Sequence, residues 1–157
     1  MRMTLHSDYA LRMLVYLAMR PDEVATASEI AAAYDLSRNH LLKVALNLRK
    51  GGFVETTRGR MGGLKLSKPA SEMTVGQVVR FVEEDFALVE CFKADGGNCL
   101  ISPACRLKGI FNEALSAYLA VLEKYTVADV VGDRTALSLL FFPVDPAPAR
   151  PHSVSAQ

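Results

Sequence analysis

All three cysteines of this 157-residue chain, Cys91, Cys99 and Cys105, fall within fifteen residues, in the stretch CFKADGGNCLISPACRLKG. Thiolates are soft ligands, so three of them close together suit Zn²⁺ or an iron–sulfur cluster. Zinc sites favour cysteines about two to four residues apart, held in tight knuckles. Here the spacing is C-x7-C-x5-C, and spans of that length suit a bulkier object wrapped by a loop. Unligated thiols and a purely thiol-based redox switch are the alternatives. Ser102 is a natural N-cap and Pro103 suits the first helical position, which sets Cys105 in the first turn of a helix, where free amides favour a thiolate. Arg106 and Lys108 add positive charge beside it. A three-cysteine cluster needs a fourth ligand. Glu90 and Asp95 are local, while His6 and Asp8 sit at the far end of the chain, and the residues alone leave the choice open. Taken by itself, Asp8 reads as a first-turn helix residue paired with Arg12 four positions on.

The elements that must position this loop can be read along the chain. Leu11, Leu14, Val15 and Ala18 recur at helical spacing, and Pro21 closes that segment. Thr26 with Glu29 forms a capping box for a short helix from Ala27 to Tyr34. Asp35 and Leu36 turn the chain, and Ser37 caps a second helix that runs to Lys50 and ends at Gly51-Gly52. Two helices joined by so short a turn are a helix-turn-helix. FVETT and LKLS read as strands flanking RGRMGG, whose glycines allow the positive φ of a tight hairpin, with Arg58 and Arg60 at its tip. A hairpin directly after a helix-turn-helix is a wing.

Thr74 and Gln77 form another capping box, for a helix of roughly residues 74–85. The cysteine loop follows, bending at Gly96, Gly97 and Asn98. The next helix carries Leu107, Phe111, Ala114, Tyr118, Val121 and Tyr125 at alternating steps of four and three, with Ile110, Leu115 and Leu122 widening the stripe. That seam suits packing against a twin helix in a homodimer, the alternative being burial on the chain's own winged domain. Thr126 and Asp129 cap one more short helix. The fold class is therefore mainly α with a small β-hairpin wing: a winged helix-turn-helix domain plus a long dimerisation helix. Its parts are a DNA-binding domain at 1–70, a connecting helix at 71–90, the cysteine loop at 91–105, the dimerisation helix at 102–125, a packing segment at 126–144 and a disordered, Pro- and Ala-rich tail at 145–157.

Composition narrows the function classes. Residues 1–70 carry eleven Lys/Arg against six Asp/Glu, a balance of +5, while 71–157 carry seven against eleven, a balance of −4. A basic front half suits a polyanion such as double-stranded DNA. Ser37, Arg38, Asn39, His40 and Lys43 are the polar first turns that a recognition helix presents to base edges. Arg38 suits guanine, Asn39 suits adenine, and Lys43 suits a phosphate. Leu41, Leu42, Ala45, Leu46 and Leu48 are left for packing. Arg58 and Arg60 suit a narrow minor groove, and Arg49 and Lys65 the DNA backbone. A dimer would set two such helices about 34 Å apart, or a small multiple, on a two-fold-related operator.

Apolar runs are far shorter than the roughly 18 residues of a membrane span. The N-terminus has Arg12 and Arg20 inside its apolar stretch and no cleavage site, which points to a cytosolic protein with reduced thiols. A cysteine enzyme or an electron-transfer protein is the reading from another class. No base is paired with any cysteine, because His6 and His40 lie in the front half and His152 in the tail.

Four stretches, SDYALRMLVYLA, LSRNHLLKVALNLRKGGFVETTRGRMGGLKLSKPAS, NCLISPACRLKG and KYTVADVV, resemble nitric-oxide-sensing repressors of the winged-helix regulator family that includes the iron–sulfur regulator IscR. The likeness runs from about residue 1 to 131. The RGxxGG wing marks the broad family; SRNH, SPACRLK and YTxADxV mark the narrower branch. The resemblance implies a cytoplasmic homodimer with one 4Fe–4S cluster per subunit, bound through Cys91, Cys99 and Cys105. The family's non-cysteine ligand, an acidic residue of the first helix donated by the partner subunit, falls on Asp8. It also implies a repressor that leaves DNA when nitric oxide attacks the cluster. The seven-residue gap between Cys91 and Cys99 is longer than in many relatives. A 2Fe–2S cluster of the IscR type is the alternative; where that type has a histidine after its last cysteine, Arg106, Leu107 and Lys108 stand here.

Overall fold

The computed structural model describes residues 3–57, 62–92 and 97–142. Arg58 and Arg60 of the wing tip, Asp95 and Gly96 of the cysteine loop, and the tail from 145 onward lie outside the described residues.

Helix α1 (Leu5–Met19) starts at Thr4, whose hydroxyl accepts the Ser7 amide at 3.2 Å. It buries Met13, Leu14 and Leu17 against Ile30 of α2 (Ala27–Tyr34) and Leu41, Val44 and Leu48 of α3 (Arg38–Lys50). Each of these side chains is at most 1% exposed. Burial on that scale contributes about 1.5–3 kcal/mol per large side chain, and this is what holds three short helices together. The Thr26–Glu29 capping box forms as expected, with both reciprocal bonds in place. Asp35 turns the chain in the left-handed region, φ 52°. Ser37 adopts the extended N-cap backbone of α3, but its hydroxyl makes no capping bond.

Strands β1 (Val54–Thr57) and β2 (Gly63–Leu66) pair antiparallel, Val54 opposite Leu66 and Thr57 opposite Gly63. A further bridge joins Leu64 to Ala25, so the hairpin is stitched to the entrance of α2. This approach accounts for Gly63: a Cβ there would lie 2.9 Å from the Ala25 carbonyl oxygen. Positive φ was the expected reason for the wing glycines, but at Gly63 closeness is the reason. Gly52, just after α3, does use positive φ, at 70°.

Helix α4 (Val75–Val82) begins at the expected Thr74–Gln77 box and stops three residues earlier than its expected end at 85. Helix α5 (Arg106–Glu123) starts later than expected. Ser102–Ala104 forms a separate 3₁₀ turn, and Cys105 is the N-cap of α5. The extended backbone of Cys105, ψ 115°, breaks the helical run that Ser102 and Pro103 were expected to begin. Leu119 is the buried side chain of α5, and Leu115, Tyr118 and Leu122 join it against Val75 and Val79 of α4. Tyr118, placed in the outward seam by its spacing, therefore packs within its own chain. Leu107, Ile110, Val121 and Tyr125 remain exposed.

The expected Thr126–Asp129 box starts α6 (Val127–Val130), which tucks Val127 into the main core. A last helix, α7 (Arg134–Phe141), was not anticipated as a helix. Asp133 caps it, Arg134 donates to the Ala18 carbonyl at 2.6 Å, and Phe141 and Phe142 close on Tyr16.

Candidate functional site

On α3 the inner face is filled by Leu41, Val44 and Leu48, which leaves Arg38, Asn39, Lys43, Leu46, Arg49 and Lys50 exposed. Asn39 and Lys43 stand one turn apart on the outward face. Arg38 is not free: its Nε donates to Ser28 Oγ on α2 at 2.9 Å. His40 is half-buried and meets the Tyr9 ring edge-on, centroids 5.1 Å apart, so it touches α1 as well as facing outward. Leu42 and Leu46, expected to pack inward, are 38% and 59% exposed. The inner positions one residue away already fill the contact with α1 and α2, so these two leucines rotate out of it.

Between α3, the start of α2 and the wing lies an open groove of about 420 Å³. Ser28, Arg38, Leu46, Arg49 and Thr57 line it. Hydroxyls, guanidinium groups and the N-terminal amides of α2 are the donors that hold a phosphate backbone. Ser28 and Thr57 were absent from the sequence reading, because neither lies on the recognition helix. The capping box could have pointed to Ser28, since it fixes where α2 begins. Lys65, a backbone candidate, is paired across the wing with Glu55 at 2.8 Å.

A second site lies at the N-terminal end of α5. Cys91, Cys99 and Cys105 line one cleft of about 180 Å³, with Lys108 and Phe111 on its wall. All three thiols are free and partly exposed. Cys99 and Ser102 close a turn, the Ser102 amide donating to the Cys99 carbonyl at 3.0 Å. Cys105 sits at the N-terminus of an eighteen-residue helix and makes no side-chain capping bond. Glu90 holds the chain where it returns: it accepts the Asn98 amide at 3.3 Å, and Gly97, φ 61°, leaves no room for a Cβ against the Glu90 carbonyl.

No three His, Cys, Asp or Glu side chains among the described residues cluster in a way that could hold a single metal ion. Three soft ligands spread around an open cleft fit a group larger than one ion, which is the requirement of an iron–sulfur cluster. Asp8 is not part of this cleft. Both its oxygens face Arg12, with Nε 3.0 Å from Oδ1 and Nη2 2.8 Å from Oδ2. That is the pairing which Asp8, read by itself, leads one to expect. Arg12 in turn accepts the Tyr34 hydroxyl on its carbonyl at 3.0 Å and lies over the Tyr34 ring. Helix α1 thus carries Asp8, the contact to α3 through Tyr9, and the contact to α2 through Arg12.

No helix among the described residues is long and apolar enough to cross a membrane. Residues 3–133 match the family model Rrf2, described as iron-dependent transcriptional regulator. The chain is 49% identical over 135 residues to the HTH-type transcriptional regulator NsrR of Bacillus subtilis, covering 85% of this chain and 92% of that protein. It is 44% identical over 141 residues to NsrR of Halalkalibacterium halodurans, covering 89% and 97%. Among solved structures, IscR of T. potens superposes with a TM-score of 0.69 at 22% identity, covering 85% of this chain and 88% of that one, a likeness of fold.

Proposed function

The chain belongs to the Rrf2 family of transcriptional regulators, and within it we propose a cytoplasmic, homodimeric repressor that senses nitric oxide through a 4Fe–4S cluster. DNA binding, not catalysis, is its activity, as for its regulator relatives. On this reading residues 1–70 bind a two-fold-related operator, the 91–105 loop holds the cluster, and α5 forms the dimer. Ser37, Arg38, Asn39, His40 and Lys43 face the major groove, and Arg58 and Arg60 belong to the wing contact.

The observation that carries the reading is the convergence of Cys91, Cys99 and Cys105 on one cleft at the N-terminus of α5. The close likeness to NsrR proteins supports the choice of signal. Cys91, Cys99 and Cys105 would hold the cluster, with Asp8 of the partner subunit as its fourth ligand. When bound, the cluster supplies an iron that reacts with nitric oxide. The exposed Leu107, Ile110, Val121 and Tyr125 support dimerisation, since a twin helix laid on them removes these apolar side chains from water. Asp8 stands on the helix whose next residue, Tyr9, touches His40 of the recognition helix. Freeing that carboxylate removes a link between α1, which supports α3, and the partner subunit, and a small rotation of either half-site costs several phosphate contacts.

The test is anaerobic purification with iron, acid-labile sulfide and visible absorbance read per monomer, followed by a DNA shift assay with and without nitric oxide. Iron and sulfide in 4Fe–4S proportion, with absorbance and operator binding both lost on nitric oxide addition, is the expected result. A 2Fe–2S ratio, zinc, or operator binding indifferent to nitric oxide would overturn the proposed signal and leave the regulator.

A further inference from the structure

We infer that Leu46 is a specificity-determining residue of the recognition helix, contacting the 5-methyl group of a thymine in each operator half-site, with Leu42 extending the same apolar surface. The inference rests on the reading of α3 as the major-groove helix. Asn39, Lys43, Leu46 and Lys50 are spaced by four, three and four residues, which puts them on one face of a helix with 3.6 residues per turn. All four are exposed. Three of them are the hydrogen-bonding and cationic side chains that a DNA-facing surface requires. The fourth is a leucine, and at 59% exposed it is the most open apolar side chain of α3.

A single exposed leucine is ordinary on a protein surface. Its position here is not. Arg38 and Arg49 line the same groove as Leu42 and Leu46, so the apolar patch is framed by cations on a face that no described residue covers. A polyanion fits that frame, and the major groove of DNA has one apolar feature, the thymine methyl. Leu46 cannot be recruited to the core either, because Leu41, Val44 and Leu48 fill the inner face at 0% exposure.

The experiment uses the full chain purified anaerobically and a duplex it selects from a random pool. Each thymine is replaced in turn by deoxyuridine, which removes the methyl and leaves the pairing edge unchanged. One thymine per half-site should lose about three- to fivefold in affinity, the scale of burying one methyl group. Leu46→Ala should bind the thymine duplex weaker by a similar factor and become insensitive to deoxyuridine at that position. Leu46→Met, which keeps an apolar contact, should retain the sensitivity, and affinity of both variants for an unrelated duplex should stay at the wild-type level. Equal deoxyuridine losses in wild type and Leu46→Ala, or a Leu46→Ala variant with undiminished operator affinity, would overturn the inference. Lys43→Ala separates the premise from the inference: unchanged affinity and salt dependence in that variant would remove α3 from the groove and both readings with it.

Discussion

Asp8 and Arg12 form a two-point ion pair along one turn of α1, with both carboxylate oxygens engaged by the guanidinium at 3.0 and 2.8 Å. Each side chain is about two-fifths exposed, 40% for Asp8 and 43% for Arg12, so the pair contributes no more than about 1 kcal/mol to stability. A carboxylate held this way keeps a spare lone pair on each oxygen, so it could bind iron in a partner subunit while the guanidinium orients it. Asp8→Ala should therefore leave thermal unfolding nearly unchanged while speeding cluster loss. Absorbance decay under an iron chelator measures it, and decay at the wild-type rate would exclude Asp8 as a ligand.

Cys99→Ala removes one of three thiols from the cleft at a partly exposed position, so the fold should persist. The purified variant should contain no stable cluster, and its DNA binding should no longer respond to nitric oxide. Iron and sulfide at wild-type levels would show that the cleft is not the site.

Glu123 ties the end of α5 to the start of α4. It accepts Thr74 Oγ1 at 2.5 Å and Arg80 Nε at 3.1 Å, and Gly76 lies so close that a Cβ there would fall 2.6 Å from its carboxyl carbon. Gly76→Ala forces that carboxylate away and should destabilise the protein by about 1 kcal/mol, the scale of the lost hydrogen bonds less the gain in helix propensity. In a Glu123→Ala background the same substitution should instead stabilise, because only the propensity gain remains. Urea unfolding of the four proteins gives the coupling, and additive effects would mean that the contact carries no energy.

Burial pushes the Tyr34 hydroxyl from 10.0 up to about 12, against the pull of the nearby Arg12 guanidinium. Between those values the unfolded chain gives up the proton first, so the folded state binds more protons and stability falls as pH rises through the window. Tyr34→Phe should lose about 1 kcal/mol below the window, for the bond to the Arg12 carbonyl, and flatten the fall within it. At the acid end Glu29 is held below its usual value by its bonds to Thr26, so that capping box contributes above 4.5 and is lost as pH falls. Glu29→Gln should keep the cap and remove its part of the acid sensitivity, read as the unfolding midpoint against pH.

The features legible in the sequence are those made within one helical turn. Thr26 with Glu29, Thr74 with Gln77, Thr126 with Asp129, and Asp8 with Arg12 all lie three or four residues apart, where helix geometry alone brings side chains together. The winged order of elements was legible because such local signals follow one another along the chain, and the cysteines are grouped in the sequence itself. What the tertiary structure decided are contacts that no spacing encodes. Glu123 reaches Thr74 across 49 residues, and the Ala25 carbonyl excludes a side chain at Gly63. Leu42 and Leu46 turn outward because α1 and α2 have already filled the inner face of α3. Cys105 moved from the first turn to the N-cap because the 3₁₀ turn at Ser102 closes before α5 begins. Local hydrogen bonds are specified by neighbours in the chain, whereas which face of a helix is covered depends on the volume already occupied by the helices beside it.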